Sequence, residues 1–312
     1  MGKLAFVFPG QGSQYAGMGK DLYARMVEVR EVFDTADEFL HVPLSRLCFE
    51  GPEEDLRLTV NTQPALLTVS VACLRALEKN GIKPDVAAGH SVGEYSALVA
   101  AGAVSFRTAL KLVQIRAQLM HDAANRNPGV MTAIIGLNAD EVLGICMHAS
   151  DIGVVDVANY NSPEQVVISG EPNAVEVAEK YAKEAGAKRI VRLNVSGAFH
   201  SRLMSPAVER LAIELNHTSF DEATIPVVAN ATAEYVRKPD EIRDALVRQL
   251  AGSVRWTESI QRMVADGVDR FVEVGPGKVL SGLIKRIVKD VEVTNVGDIQ
   301  SLEEFLARQA WT

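Results

Sequence analysis

The sequence predicts an α/β protein in which a large domain with a mostly parallel sheet carries a small inserted domain of ferredoxin-like order. Three observations predict it. Short, continuous apolar runs closed by Gly or Pro alternate with helical patterns from residue 4 to residue 120, as strands buried on both faces and their covering helices do. Between 126 and 196 the order becomes strand–helix–strand–strand–helix–strand, the ferredoxin-like unit. From Ser205 onward the alternation of helices and strands resumes. The chain has 312 residues, enough for one large domain or two packed ones. The expected division is 1–125 with 197–312 for the large domain and 126–196 for the insert.

Each element has a local reason. The run 4–8 ends at Pro9-Gly10 and is followed by the loop Gly10-Gln11-Gly12-Ser13-Gln14 and a helical pattern over 21–33. Asn61 is placed to cap a helix with Pro64 in its first turn, running to a stop at Asn80-Gly81. A second short run, 86–88, meets Gly89-His90-Ser91-Val92-Gly93 and an alanine-rich helix. Ser105 then caps a longer amphipathic helix through Arg116 and Met120. In the insert, strands are expected at 130–137, 154–160, 165–169 and 189–195, and helices at 139–148 and 174–185. A last strand, 270–274, enters Gly275-Pro276-Gly277 ahead of a helix. There is no internal repeat and no low-complexity linker.

Composition narrows the function. The chain is 47% hydrophobic and 23% charged, close to a globular average, which excludes wholesale disorder. Its 32 Lys and Arg against 40 Asp and Glu leave a net charge of −8, so there is no basic surplus to neutralise phosphates and no nucleic-acid partner is expected. Cys48, Cys73 and Cys146 are odd in number and far apart, which fits neither a disulfide framework nor a paired-cysteine metal or redox site. The first apolar run is too short for a signal peptide. The stretch 86–104 holds His90, Glu94 and small polar residues, so no membrane span is expected. The expectation is a cytoplasmic protein and, with no exposed apolar stripe, a monomer. No HExxH or paired-histidine spacing occurs, so no metal site is expected.

The informative segment is Gly89-His90-Ser91-Val92-Gly93, a G-x-S-x-G between a strand and a helix. A serine on that sharp turn has its hydroxyl above the sheet, and the Val92 amide can face the oxyanion of a tetrahedral intermediate. The alternative is a plain glycine-rich turn. A serine nucleophile needs a base. Of the six histidines, His90 adjoins the serine and should diverge from it to pack. His41, His121, His148 and His217 fall in helical or loop stretches as surface or core residues. His200 sits where the chain leaves the insert, a junction loop beside the interdomain cleft, and is the candidate. The Gly10–Gln14 loop fails both the dinucleotide and the P-loop spacing. It remains a loop at the carboxyl end of a strand, where Gln11 is either a second oxyanion donor or part of a tight turn.

Five segments then occur in one order: Phe8-Pro9-Gly10-Gln11-Gly12-Ser13-Gln14, Gly89-His90-Ser91-Val92-Gly93-Glu94-Tyr95, the stretch around Arg116, Gly197-Ala198-Phe199-His200-Ser201, and Glu273-Val274-Gly275-Pro276-Gly277. Together, over about 3–300, they resemble the malonyl-CoA:acyl carrier protein transacylases of bacterial fatty-acid synthesis. The resemblance implies a hydrolase-like large domain with a ferredoxin-like insert. It implies Ser91 as nucleophile, His200 as base, and Gln11 with the Val92 amide as oxyanion hole. Arg116 would bind the malonyl carboxylate, although the residue alone reads as a solvated helix charge. Gln249 matches the position that supports the histidine through a carbonyl acceptor. Phe199, directly before the base, would stand at the acyl pocket and select malonyl over methylmalonyl.

The implied chemistry is ping-pong: coenzyme A leaves a malonyl-serine, and the phosphopantetheine thiol of acyl carrier protein then takes the acyl group. Malonyl-CoA is a substrate, and no bound cofactor is expected. Because acyl carrier proteins are acidic and this chain is itself negative, a local basic patch should steer the transient encounter. Lys188, Arg189, Lys285 and Arg286 are the candidates, with ordinary solvated charge as the alternative. A discrete acyltransferase serving a polyketide synthase shares every motif. A serine hydrolase or thioesterase would share the turn, the base and the oxyanion donors. A non-catalytic carrier-binding module would have no need of both Ser91 and His200.

Overall fold

The computed structural model describes residues 2–309; residue 1 and residues 310–312 of the expected large domain lie outside the described residues. Among the described residues ten strands form two sheets: β1 (Lys3–Phe8), β2 (Val86–Gly89), β3 (Val130–Ile135), β4 (Val155–Ser162), β5 (Gln165–Gly170), β6 (Arg189–Arg192), β7 (Val227–Val228), β8 (Tyr235–Val236), β9 (Val268–Val274) and β10 (Glu292–Val296). The larger sheet has the order β10-β9-β1-β2-β7-β8. Its pairs are parallel except for the short β7–β8 hairpin at one edge. The smaller sheet runs β4-β5-β3-β6 and is antiparallel throughout, which is the ferredoxin-like order.

The continuous apolar run of β1 is explained by burial on both faces. Leu4, Phe6 and Phe8 point into one core with the helices Thr59–Lys79 and Phe106–Arg126. Ala5 and Val7 point into a second core with Trp256, Ile260 and Leu283. The smaller sheet divides its faces in the same way. Ile134 and Ile168 pack beneath the insert's own helices, Ala139–Ala149 and Pro172–Glu184, while Met131, Ala133 and Val167 join the large core. The outer strand β4 is also stitched to the large domain, with Tyr160 N donating to Val254 O at 2.9 Å and Val254 N to Ala158 O at 2.8 Å.

Two helix expectations need correction. The pattern over 21–33 is two helices, Lys20–Arg25 and Val27–Leu40, because Met26 is extended (φ −121°, ψ 126°) and turns the chain between them. Asn61 is not a cap. The helix starts at Thr59 after extended Leu58, and Asn61 N already donates to Leu58 O at 2.8 Å. Pro64 therefore lies inside the helix, where the missing donor is tolerated because burial on nearly every side holds the segment. Ser105 does cap the helix Phe106–Arg126, its hydroxyl accepting from Thr108 N. Strand β6 stops at Arg192, short of the expected 195. Among the described residues no helix is long and apolar enough to cross a membrane.

In the parallel pair β1–β2, Phe8 is in register with Gly89. The loops after these strands consequently leave the sheet side by side at its carboxyl edge, where crevices form in α/β sheets.

Candidate active site

The turn after β2 is built by close approach. A Cβ on Gly89 would meet the Gly93 backbone at 2.0 Å, and one on Gly93 would meet Phe8 O at 2.2 Å, so only glycine lets the helix Gly93–Ala100 dock on β1 and β2. Between them Ser91 is left-handed (φ 53°), a strained conformation for a residue with a side chain. Asn230, just beyond β7, holds the strain in place. Its Oδ1 accepts from Ser91 N at 2.7 Å and its Nδ2 donates to Gly89 O at 2.6 Å.

His200 is brought to this turn from 109 residues away and is also left-handed (φ 58°). Its Nδ1 faces two carbonyl oxygens, Gln249 O at 2.9 Å and Gly252 O at 3.2 Å, so Nδ1 carries the proton and donates. Nε2 is then the acceptor, and Ser91 Oγ donates to it at 2.8 Å. Burial first, and then the positive charge of Arg116, push the imidazole pKa down to about 3, which keeps Nε2 free to accept. A hydroxyl donating to an oriented, neutral imidazole is the ground state of a nucleophile–base pair. His90 diverges as expected: its Nε2 is 2.8 Å from Asn161 Oδ1 and its ring lies edge-on to Trp256.

Arg116 is no solvated helix charge. It is 1% exposed. Its Nη2 donates to Ser91 Oγ at 3.1 Å and to Gln249 Oε1 at 2.9 Å, and its Nη1 donates to Gln63 Oε1 at 2.6 Å. These partners are neutral, and the buried Nε has none. Burial pulls the guanidinium pKa below its ordinary value, with Tyr95 and Glu94 opposing. Gln249 enters twice, by its carbonyl to His200 and by its side chain to Arg116.

Ser91, His200 and Arg116 line one cavity of about 80 Å³. Gln11, Gln63, Ser91, Val92 and Arg116 come from the large domain. Met131, Asn159, Leu193 and Val195 come from the insert and its exit, and Phe199 and His200 close the wall between them. Gln11 Nε2 rests 3.4 Å from Thr59 Oγ1. A roomier hollow of about 340 Å³ lies between Lys278 and Arg308 but holds no nucleophile–base pair. Among the described residues no group of three or more His, Cys, Asp or Glu side chains is placed to hold a metal ion.

The four candidate docking cations are exposed and sit away from the cavity. Arg189 and Gln165 both pair with Ile135 across the small sheet, and Arg286 Nη1 donates to Gln165 Oε1 at 2.9 Å, which gathers Arg189 and Arg286 at one end of that sheet. Lys188 is paired with Glu164 at 2.9 Å, so part of its charge is offset.

Three site residues escaped the sequence reading. Gln63 gave no signal, being one polar residue in a helix of mostly buried apolar ones. Asn230 follows a strand of two residues, too short to register as a strand end. Glu94 stood in a quoted motif but had no assigned role.

A family model described as acyl transferase domain matches residues 5–304. The malonyl CoA-acyl carrier protein transacylase of Escherichia coli K12 is 49% identical over 307 residues, covering 98% of this chain and 99% of that one. The Bacillus subtilis protein of the same name is 47% identical over 304 residues, covering 97% and 96%. Among solved structures, an acyl carrier protein S-malonyltransferase from Vibrio cholerae superposes with a TM-score of 0.94 at 48% identity, covering 97% of this chain and 99% of that one. A malonyl-transacylase in complex with its type II polyketide synthase acyl-carrier protein gives 0.95 at 44%, covering 98% and 99%. The chain therefore belongs to the acyl transferase domain family and, within it, to the malonyl CoA-acyl carrier protein transacylases.

Proposed function

We propose that this acyltransferase moves the malonyl group of malonyl-CoA to the phosphopantetheine thiol of acyl carrier protein through a malonyl ester of Ser91. The observation that carries the reading is a buried guanidinium with only neutral partners, 3.1 Å from a serine hydroxyl that donates to a neutral imidazole. His200 Nε2 takes the Ser91 proton as Oγ attacks the thioester carbon. The Val92 amide and Gln11 receive the oxyanion, and the imidazolium returns its proton to the departing coenzyme A sulfur. The carrier thiol then enters, gives its proton to Nε2 and attacks the ester carbon, and the imidazolium returns that proton to Ser91 Oγ as the ester bond breaks. The Gln249 carbonyl holds Nδ1–H through both halves, so no acidic third member is required.

Arg116 is the group that tells malonyl from acetyl. A free carboxylate in a largely dry cavity needs a planar, bidentate cationic partner, and a guanidinium offers one. The cavity is sized for a short acyl group, and Phe199 on its wall would crowd a branch at the α-carbon. Residues 126–196 act as an inserted unit that supplies the opposite wall. The end of the helix Phe106–Arg126 and the start of β3 at Val130 support that division. Arg189 and Arg286, assisted by Lys188 and Lys285, receive the acidic carrier.

Incubation with malonyl-CoA alone should add one malonyl group, mapped to Ser91 by intact mass and peptide digestion. Holo acyl carrier protein should then remove it. Label on another residue, or none, overturns the mechanism, and loss to water as fast as to the carrier makes the protein a hydrolase. A polyketide carrier is a specific second reading, because the relative at 44% identity was solved with one. Comparing kcat/KM for a fatty-acid carrier and a polyketide carrier decides between them.

A further inference from the structure

Glu94 has no part in the steps above, yet it is 1% exposed and lies in the first turn after the nucleophile. Its Oε2 accepts from Gln249 Nε2 at 2.7 Å and from Asn230 N at 3.0 Å. Gln249 Nε2 also donates to Ser91 O at 3.0 Å, so both of its hydrogens are committed to acceptors. Turning this amide over would set its oxygen against the Glu94 carboxylate and the Ser91 carbonyl, two acceptors with nothing to donate. Gln249 Oε1 must therefore face Arg116 Nη2, the contact observed at 2.9 Å. The same Nη2 also donates to the Ser91 hydroxyl at 3.1 Å, so the amide and the nucleophile share one guanidinium nitrogen.

We infer that Glu94 is a positioning residue for the substrate's acyl carboxylate: its acceptor-only side chain fixes the Gln249 amide, and that amide aims the Arg116 guanidinium into the pocket. The inference rests on the reading of Arg116 as the carboxylate partner. Glu94 also supplies negative charge one amide removed from Arg116. A carboxylate in direct contact would neutralise the guanidinium and compete with the substrate, whereas one held behind an amide offsets the buried charge and leaves the guanidinium with neutral partners only. Asn230 joins the same node to the nucleophile turn, since it donates to Glu94 by its backbone and accepts from Ser91 N by its side chain.

The test is the ratio of kcat/KM for malonyl-CoA to that for acetyl-CoA, read as acylation of Ser91 by intact mass. Acetyl-CoA lacks the carboxylate, so a residue that acts by aiming Arg116 moves the ratio, and a merely structural one lowers both substrates together. Glu94→Gln can donate where Glu94 only accepts, which frees the Gln249 amide to turn its NH2 toward the guanidinium. The ratio should fall about tenfold or more. Glu94→Asp, which keeps an anionic acceptor, should retain most of it. Gln249→Met should lower the ratio alone, and adding Glu94→Gln to it should lower it no further.

Should Glu94→Gln fail to fold, the wild type carries the test. Burial pushes the Glu94 carboxyl up to about 7. The titratable groups whose charge bears on it are Arg116 and Tyr95, and Arg116 in turn bears on His200, which His90 also faces. Burial lowers the pKa of both imidazoles, that of His200 to about 3, and raises the Tyr95 phenol to about 12. Glu94 thus takes up a proton as pH falls through that value, and the ratio should drop severalfold between about pH 8 and about pH 6. A parallel loss of both substrates in Glu94→Gln, an unchanged ratio, multiplying effects in the double variant, or, for the wild type, a flat profile overturns the inference. Arg116→Ala is the control. If it lowers the ratio and Glu94→Gln does not, this inference alone fails; if Arg116→Ala leaves the ratio intact, the carboxylate reading itself fails.

Discussion

The carboxyl edge of the large sheet and the inserted small sheet are built on opposite terms. Beneath the insert's helices the core is aliphatic, with Ile134, Val142, Val166, Ile168 and Val175 packed together. Its buried polar groups are few and small: the Thr132 hydroxyl donates to Glu179, and the Ser169 hydroxyl on β5 is buried without a partner. Between residues 130 and 192 only glycines, Gly136 and Gly186, take positive φ. At the edge of the large sheet, Gln63, Glu94, Arg116, His200, Asn230 and Gln249 are all buried, and Ser91 and His200 are held left-handed. Buried polar groups and strained backbone each cost stability, about 1–3 kcal/mol for a strained residue, and persist only where neighbours over-determine them. The insert is thus a framework whose sequence optimises burial. The edge is a place where stability has been given up for a fixed arrangement of donors and acceptors.

The contrast can be broken from either side. At the edge, Arg116→Ala should cost about 2–5 kcal/mol in kcat/KM for malonyl-CoA and far less for acetyl-CoA, because a buried carboxylate would lose its cationic partner. Steady-state kinetics with both thioesters checks this, and equal losses would make Arg116 structural. In the insert, Ile168→Ala should lower unfolding free energy by about 2–5 kcal/mol through cavity formation. The folded fraction should keep the malonyl-to-acetyl ratio, as urea denaturation and kinetics on the same preparation will report. A changed ratio would show that the insert's core reaches the chemistry.

Phe199 stands where the two regions meet, 5% exposed on the cavity wall. Phe199→Ser should narrow the preference for malonyl-CoA over methylmalonyl-CoA by about 1–3 kcal/mol, the usual cost of overpacking a methyl group. Direct competition for Ser91, read by mass, measures it, and an unaltered ratio removes Phe199 as the cause. The smallest effect belongs to the exposed end of the small sheet. Changing Arg189 and Arg286 together to Glu should raise KM for the carrier severalfold at low salt and leave self-malonylation intact. An unchanged carrier KM would return these residues to the solvated surface.

The sequence by itself determined what depends on local pattern. Period and turn chemistry marked the four strands of the small sheet and β1, β2 and β9 of the larger one, but not β7, β8 or β10; the ferredoxin-like order of the insert was legible because each element is short and regular. Ser91 was legible because the glycines at 89 and 93 are a steric requirement of the turn and so leave a trace in the chain. Pattern failed at Met26, where a single extended residue splits a helix, and at Asn61, where a capping residue type sits inside the helix it was expected to begin. Only the tertiary structure decided which imidazole faces the serine, which tautomer it holds, and that Arg116 is buried with neutral partners. His200 and Ser91 are 109 residues apart, and Gln249 and Glu94 are 155 apart. Hydrogen bonds between such residues exist only after the sheet has closed and the insert has packed against it, and an amide or a carboxylate has the same appearance in sequence whether water or a guanidinium awaits it.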